Sequence, residues 1–258
     1  MAEYLPPRTY NLFNPELKTP FKLSRTGLEL FVDCPRCFYL DRRGGIAQPP
    51  TYAYTLNSAV DHLLKKEFDI HRKKGTVHPL LKEYGLKAVP FDHQDLKGWR
   101  ETFVGVQSLH RPTNLLIFGA VDDVWVGEDK KLIVVDFKAT SSDRETNLED
   151  AKWPAYFRQM EIYQWLLRRN QHQVSDTGYF VYCNGRKDRE AFDGKLEFAV
   201  ELISHKGKDN WVEKAILDAH QCLTSDKIPD YSPTCNHCRY RRAAWKVENK
   251  LVQSKLEI

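Results

Sequence analysis

Asp136, Phe137 and Lys138 close a run, Leu132-Ile133-Val134-Val135, that is apolar on both faces. Strands of that composition are buried, and a buried carboxylate is costly unless it is paired or holds a metal. Residues two apart on a strand share a face, so Asp136 and Lys138 point together. Upstream, Asp122 and Asp123 sit in a second β-rich run, residues 118–126. Acid, spacer, lysine, with another acid on the partner strand, is a site for a cation beside a fixed positive charge. The plain alternative is a strand-end ion pair between Asp136 and Lys138, and a motif this short does not separate the two.

Cysteines supply a second chemistry. Cys34/Cys37 and Cys235/Cys238 are two C-x-x-C pairs at opposite ends of the chain. Each pair sets two thiolates close enough to share one metal. Four sulfur ligands suit tetrahedral zinc or an iron–sulfur cluster. A shared site would clamp the N-terminal helix to the C-terminal segment and close a very long loop. Cys183, in a strand-like run, and Cys222, in a helix-like one, are expected to be ordinary buried thiols.

The elements that must hold these residues follow from periodicity. Gly127-Glu128-Asp129-Lys130 is turn chemistry, so residues 118–126 and 132–140 are expected to pair as a hairpin. A two-residue turn places Asp123 on the Asp136 side and a three-residue turn places Asp122 there; the residue types leave both open. Ser24 is an N-cap for a helix carrying Leu28, Phe31 and Val32, and Pro35 breaks or restarts it. Residues 53–72 form a helix with Val60, Leu63, Leu64 and Phe68 as its apolar stripe. Asp61, His62, Lys65, Lys66, Glu67 and Asp69 then occupy a solvated face. Residues 79–90 are expected to be connecting chain, and 141–150 a polar loop after the acid–lysine strand. A helix over 156–169 buries Met160, Tyr163, Leu166 and Leu167, and puts Gln159 and Tyr163 on one face. Strands are expected over 179–182 and 195–203, a helix over 211–223, and a short charged helix or a tail over 245–258. The class is α/β, with a central mixed sheet of about five strands flanked by helices.

The chain of 258 residues has a net charge of only +4, which permits a nucleic-acid partner without indicating one. No apolar run reaches the length of a membrane span. Met1-Ala2-Glu3 opens no secretory signal, so a cytoplasmic protein with reduced thiols is expected.

The order Cys34-Pro35-Arg36, Gly119-x-x-Asp122, Asp136-x-Lys138, Gln159-x-x-x-Tyr163 and terminal cysteines resembles the RecB-type branch of the PD-(D/E)XK nuclease superfamily. It looks most like the cysteine-clamped members, which include CRISPR adaptation exonucleases and helicase-linked nucleases. The likeness runs from about Ser24 to Arg242. It implies one restriction-endonuclease-like domain over 1–258, its segments at about 24–45 and 225–245 joined at the cysteine site. It implies a metal-dependent DNase, of exonuclease type, working on single strands or duplex ends in repair, recombination or defence, beside a helicase or other repair or defence proteins. Asp122, three after the glycine, and Asp136 would hold Mg²⁺ or Mn²⁺. Lys138 would be the catalytic lysine, and Gln159 with Tyr163 would support the site and contact the nucleic acid. The family also has a helical histidine ligand four residues after a glycine. Here Asn57 replaces the glycine and Asp61 takes the histidine's place, with His62 next to it. Many relatives bind a 4Fe–4S cluster with one N-terminal and three C-terminal cysteines. Ala243-Ala244-Trp245 stands where the last of these belongs, so Cys37 becomes the fourth ligand and Zn²⁺ competes with the cluster. The rival to an enzyme is a non-catalytic nucleic-acid-binding or cysteine-cluster interaction protein that keeps the fold.

Overall fold

The computed structural model describes residues 7–50, 55–143 and 146–256. In chain order the elements are β1 (Phe21–Ser24), α1 (Arg25–Asp33), α2 (Pro35–Arg42), α3 (Thr55–Lys74), α4 (Pro79–Glu83), β2 (Ala88–Pro90), α5 (Leu96–Trp99), β3 (Val106–His110) and β4 (Leu115–Gly119). There follow β5 (Asp123–Gly127), β6 (Leu132–Thr140), α6 (Trp153–Arg169), β7 (Thr177–Gly185), β8 (Phe198–Lys206), α7 (Asn210–Thr224) and α8 (Asn236–Leu256). They fall into two compact units. One draws on 1–51, 109–116 and 213–258, the other on 52–108 and 117–212.

In the first unit, Ser24 caps α1 by accepting a hydrogen bond from the Gly27 amide at 3.1 Å. Pro35 starts a new helix, as its missing N–H allows at a first helical position. Cys34 sits at the joint, and its Sγ accepts from the Cys37 amide at 3.4 Å. Three contacts tie α2 to the C-terminal segment. The Arg36 guanidinium donates to the Pro229 carbonyl at 2.7 Å and lies 3.9 Å over the Tyr231 ring, and the Tyr39 hydroxyl donates to Ser225 at 3.1 Å. The C-terminal helix begins at Asn236, directly after Cys235, rather than at residue 245.

The second unit holds a five-stranded mixed sheet in the order β2-β5-β6-β7-β8. The pairs β5–β6 and β7–β8 are antiparallel, and β6–β7 is parallel, with α6 in the connection. Val135, Phe137, Trp125, Val181 and Cys183 cluster with Phe68, and Val60 and Leu64 of α3 pack against them. The other face of β6 meets α6. On the neighbouring β7, Gly178 lets α6 come close, since a Cβ there would stand 2.3 Å from Met160 Sδ.

Four further expectations are corrected. Residues 118–126 are not one strand: β4 ends at Gly119 and β5 starts at Asp123. Between them Val121 donates to the Trp99 carbonyl at 3.0 Å instead of to a ladder. Leu63 is exposed, because the inward face of α3 turns toward Val60, Leu64, Phe68 and Arg72. Residues 79–90 contain an edge strand, β2, in the only sheet position that tolerates Pro90. The last strand is 198–206, not 195–203. The expected start of α3 at Ala53 lies outside the described residues.

Candidate functional site

The loop of the β5–β6 hairpin fixes the acids. Gly127 donates to Lys131 at 3.1 Å, leaving the three residues Glu128, Asp129 and Lys130 between them. Lys130 takes the left-handed conformation, φ 64°. That is the turn-plus-bulge geometry of three-residue hairpins. The register is then Asp123 against Val135 and Val124 against Val134. One step further puts Asp122, just beyond the strand, opposite Asp136.

The two neighbouring aspartates have different surroundings. Asp123 is fully buried. Its Oδ1 is paired with Arg72 and with Arg100 at 2.8 Å, and its Oδ2 accepts from Trp125 Nε1 at 3.3 Å. Asp69 pairs with the same two arginines, at 2.9 Å for Arg100. Asp123 is thus the centre of a closed ionic knot. Asp122 is partly open. Its Oδ2 accepts from the Phe137 amide at 2.9 Å, and its Oδ1 faces Lys65 Nζ at 3.2 Å. Lys65 also reaches Asp61 at 2.8 Å, so one ammonium bridges two carboxylates of α3 and the hairpin. Burial and the nearby Asp122 charge push the Asp61 carboxyl upward against the pull of Lys65. His62, on the outer side of α3, is exposed. Asn57, which stands where a glycine was expected, donates to the Ala139 carbonyl at 2.9 Å and pins α3 to the end of β6.

Asp136 is fully buried and paired with Lys138. Gln159 locks that pair: its Nε2 donates to Asp136 Oδ1 at 2.7 Å and to the Tyr163 hydroxyl at 3.1 Å, while its Oε1 accepts from Lys138 at 3.1 Å. The Lys138 ammonium lies 4.6 Å over the Tyr156 ring. Burial disfavours its charge, yet the Asp136 and Asp122 carboxylates outweigh burial and hold the amine above the ordinary lysine value. The structure therefore brings Asp61, Asp122, Asp136, Lys138, Gln159 and Tyr163 to one end of the sheet. Sequence reasoning missed Lys65, whose one signal was its place four residues after Asp61, and Tyr156. Nothing local marked Arg100.

Asp122 and Asp136 lie opposite one another in the hairpin register, Lys65 joins Asp122 to Asp61, and Lys138 pairs with Asp136; carboxylate oxygens such as these are the donors that could hold a hard divalent ion.

In the first unit, the Sγ atoms of Cys34, Cys37, Cys235 and Cys238 all lie within 4.8 Å of one another. The contacts are 3.5 Å for Cys34–Cys238, 3.7 Å for Cys37–Cys235 and 3.9 Å for Cys37–Cys238. Burial raises the Cys34 thiol, while Cys235, despite partial burial, is lowered by the Cys238 amide and its cysteine neighbours. One group that favours the thiolate beside others that resist ionisation is the charge state a cation would resolve. Cys183 and Cys222 stand apart, and burial pushes each thiol up to about 11.

A family model described as the PD-(D/E)XK nuclease superfamily matches residues 51–243. A solved structure described as "Crystal structure of SSO0001" is similar at 17% identity and a TM-score of 0.40, over 83% of this chain and 82% of that one. No curated protein matches the chain. Among the described residues no helix is long and apolar enough to cross a membrane.

Proposed function

The chain belongs to the PD-(D/E)XK nuclease superfamily, and from that premise we propose that it hydrolyses phosphodiester bonds in DNA with Mg²⁺ or Mn²⁺ held by Asp122 and Asp136. The observation that carries this reading is the hairpin register that sets Asp122 opposite Asp136, with Lys138 on the Asp136 face. Asp61, joined to Asp122 through Lys65, is read as a third oxygen donor. When bound, the cation supplies an activated water and neutralises phosphate charge. Lys138, held protonated, donates from Nζ to orient a water or to stabilise charge developing on the phosphate. It is unsuited to act as a base. Gln159 fixes both Asp136 and Lys138, and Tyr163 fixes Gln159, so these four side chains set the geometry before substrate arrives. The motif resemblance to cysteine-clamped exonucleases makes DNA ends the substrate to test first.

For the four cysteines we read one shared zinc ion. Four sulfurs at about 2.3 Å from a single tetrahedral ion lie about 3.8 Å apart, close to the 3.5–3.9 Å contacts here. In a 4Fe–4S cluster each sulfur serves a different iron, which spreads the four further.

The test is cleavage of labelled linear and circular DNA, with RNA alongside, by wild type and Asp136→Ala. Cleavage lost in EDTA, restored by Mg²⁺ and absent in Asp136→Ala supports the reading. Cleavage that persists in Asp136→Ala overturns it. Elemental analysis of anaerobically purified protein decides zinc against iron.

A further inference from the structure

The formal charge of this chain is concentrated in one place. Between Asn236 and Lys250 there are five basic side chains, Arg239, Arg241, Arg242, Lys246 and Lys250, against one acid, Glu248. That excess equals the net charge of the whole chain, +4, so the rest of the molecule is balanced. All of these residues lie on α8.

The placement is patterned. At 100° per residue, Arg239, Arg242, Lys246 and Lys250 fall within an arc of about 80° on the helix. Glu248 falls on the opposite side. All four basic side chains are exposed. Trp245, about 60° round from Arg242, is 65% exposed, and Tyr240 is 75% exposed. From Arg239 to Lys250 only Ala244 and Asn249 are even half-buried, so this length of α8 has almost no packing role.

The usual reason for a charged helical face is solubility, with both signs interspersed. Here four of the five basic side chains share one stripe, with Arg241 on the far side beside Glu248. Arg239, Arg241 and Arg242 also sit in the first two turns, at the positive end of the helix dipole, with no acid in the first turn to offset them. Local helix stability does not explain that arrangement. Meanwhile the N-terminus of α8 is anchored, because Cys235 precedes it and Cys238 lies in its first turn, both within the cysteine cluster.

We propose that this face of α8 binds single-stranded nucleic acid, the stripe tracking successive phosphates and Trp245 stacking on a base. It deepens the nuclease reading by naming where a strand is held, and rests on it for the class of partner. Basic grooves combined with exposed aromatics bind single strands without sequence preference.

The experiment measures binding of a fluorescein-labelled oligonucleotide to the full chain by anisotropy, with no added Mg²⁺, across a range of salt concentrations. The variants are Arg239→Gln/Arg242→Gln/Lys246→Gln, Trp245→Ala, and a control that removes three exposed charges elsewhere, Lys87→Gln/Lys97→Gln/Lys131→Gln. Circular dichroism and retained metal show that the variants fold. The stripe variant should bind more than 10-fold more weakly, with a salt slope lower by about 2, as three lost phosphate contacts on a single strand require. Trp245→Ala should weaken binding with the slope unchanged. Wild-type binding by the stripe variant overturns the proposal, and so does an equal loss in the control, which would mean total charge alone matters. An acidic protein that binds α8 while the oligonucleotide does not would also overturn it. Cleavage in Mg²⁺ is read separately: failure to cleave with the α8 effect intact sinks the nuclease reading alone.

Discussion

Asp122→Asn and Asp123→Asn change neighbouring residues by the same atom and should fail in opposite ways. Asp123 is fully buried and faces two guanidiniums, and the Arg72 side chain is itself only 5% exposed. Neutralising the acid leaves a buried cation without its main partner, a change that costs about 3–5 kcal/mol. For a chain of this size each kcal/mol moves the melting temperature by roughly 2–4 °C, so a fall on the order of 10 °C is expected. Asp122 has a side chain 24% exposed, and Asn can still accept from the Phe137 amide. It relieves repulsion with Asp61 and removes one of the two carboxylates paired with Lys65, which keeps Asp61, so the opposing effects should leave its stability within about 1 kcal/mol of wild type. Cleavage should reverse the order. Asp122→Asn removes a proposed ion ligand and should lower the rate more than about 100-fold, since even partners one shell out cost 10–100-fold. Asp123→Asn, assayed well below its melting point, should retain most activity. Thermal melts and single-turnover cleavage on the same preparations decide it. If Asp122→Asn melts early and cleaves normally, while Asp123→Asn does the reverse, the reasoning from the hairpin register is wrong.

On α3, Asp61→Ala should raise the Mg²⁺ concentration for half-maximal cleavage by about 10-fold, while the exposed His62→Ala should not; a Mg²⁺ titration carrying the defect in His62→Ala would mean the wrong residue was chosen. Cys34→Ser and Cys238→Ser should each release the metal and lower stability, and the double variant should be far less than additive because both act on one closed site. Full metal retention in either single variant rules out a shared ion. Stability should fall as pH drops from 7.5 to 5. Burial lowers His78, His172 and His220 below the free value near 6.5, so the unfolded chain binds more protons beneath that pH and the native state loses ground. Melting temperatures that hold or rise over that range would contradict these three burials.

The acid–lysine strand was legible because burial and alternation are local properties: Leu132 to Val135 announce a core strand, and Asp136 interrupts it. The paired cysteines were legible by spacing. Turn chemistry did not choose between Asp122 and Asp123, which only the glycine spacing of the resembled family did, because the register turns on Lys130 taking a left-handed conformation that Gly127 or Asp129 would have adopted more easily. The edge strand β2 is three residues long, too short to show a period. Lys65 read as solvated because its partner Asp122 is 57 residues away. Arg100 and Arg72 gave no sign that they would meet Asp123. Leu63 was assigned inward because a run of apolar residues fixes a stripe only to within one position, and Asp61 and Asp122 draw Lys65 inward instead.

The division of the chain also sets an order of assembly. Every segment of the unit with the acid cluster has been synthesised once Val212 is in place. The other unit needs residues 1–51 and 109–116 to wait for 213–258, and its four thiols meet only when Cys238 has emerged. Domains fold as units during synthesis, and contacts between distant segments form slowly. On the reading of a shared cysteine metal, the chain would gather its acids first and capture that metal last, so a shortage of it should accumulate molecules whose acid-bearing unit is native and whose cysteine pairs are still apart.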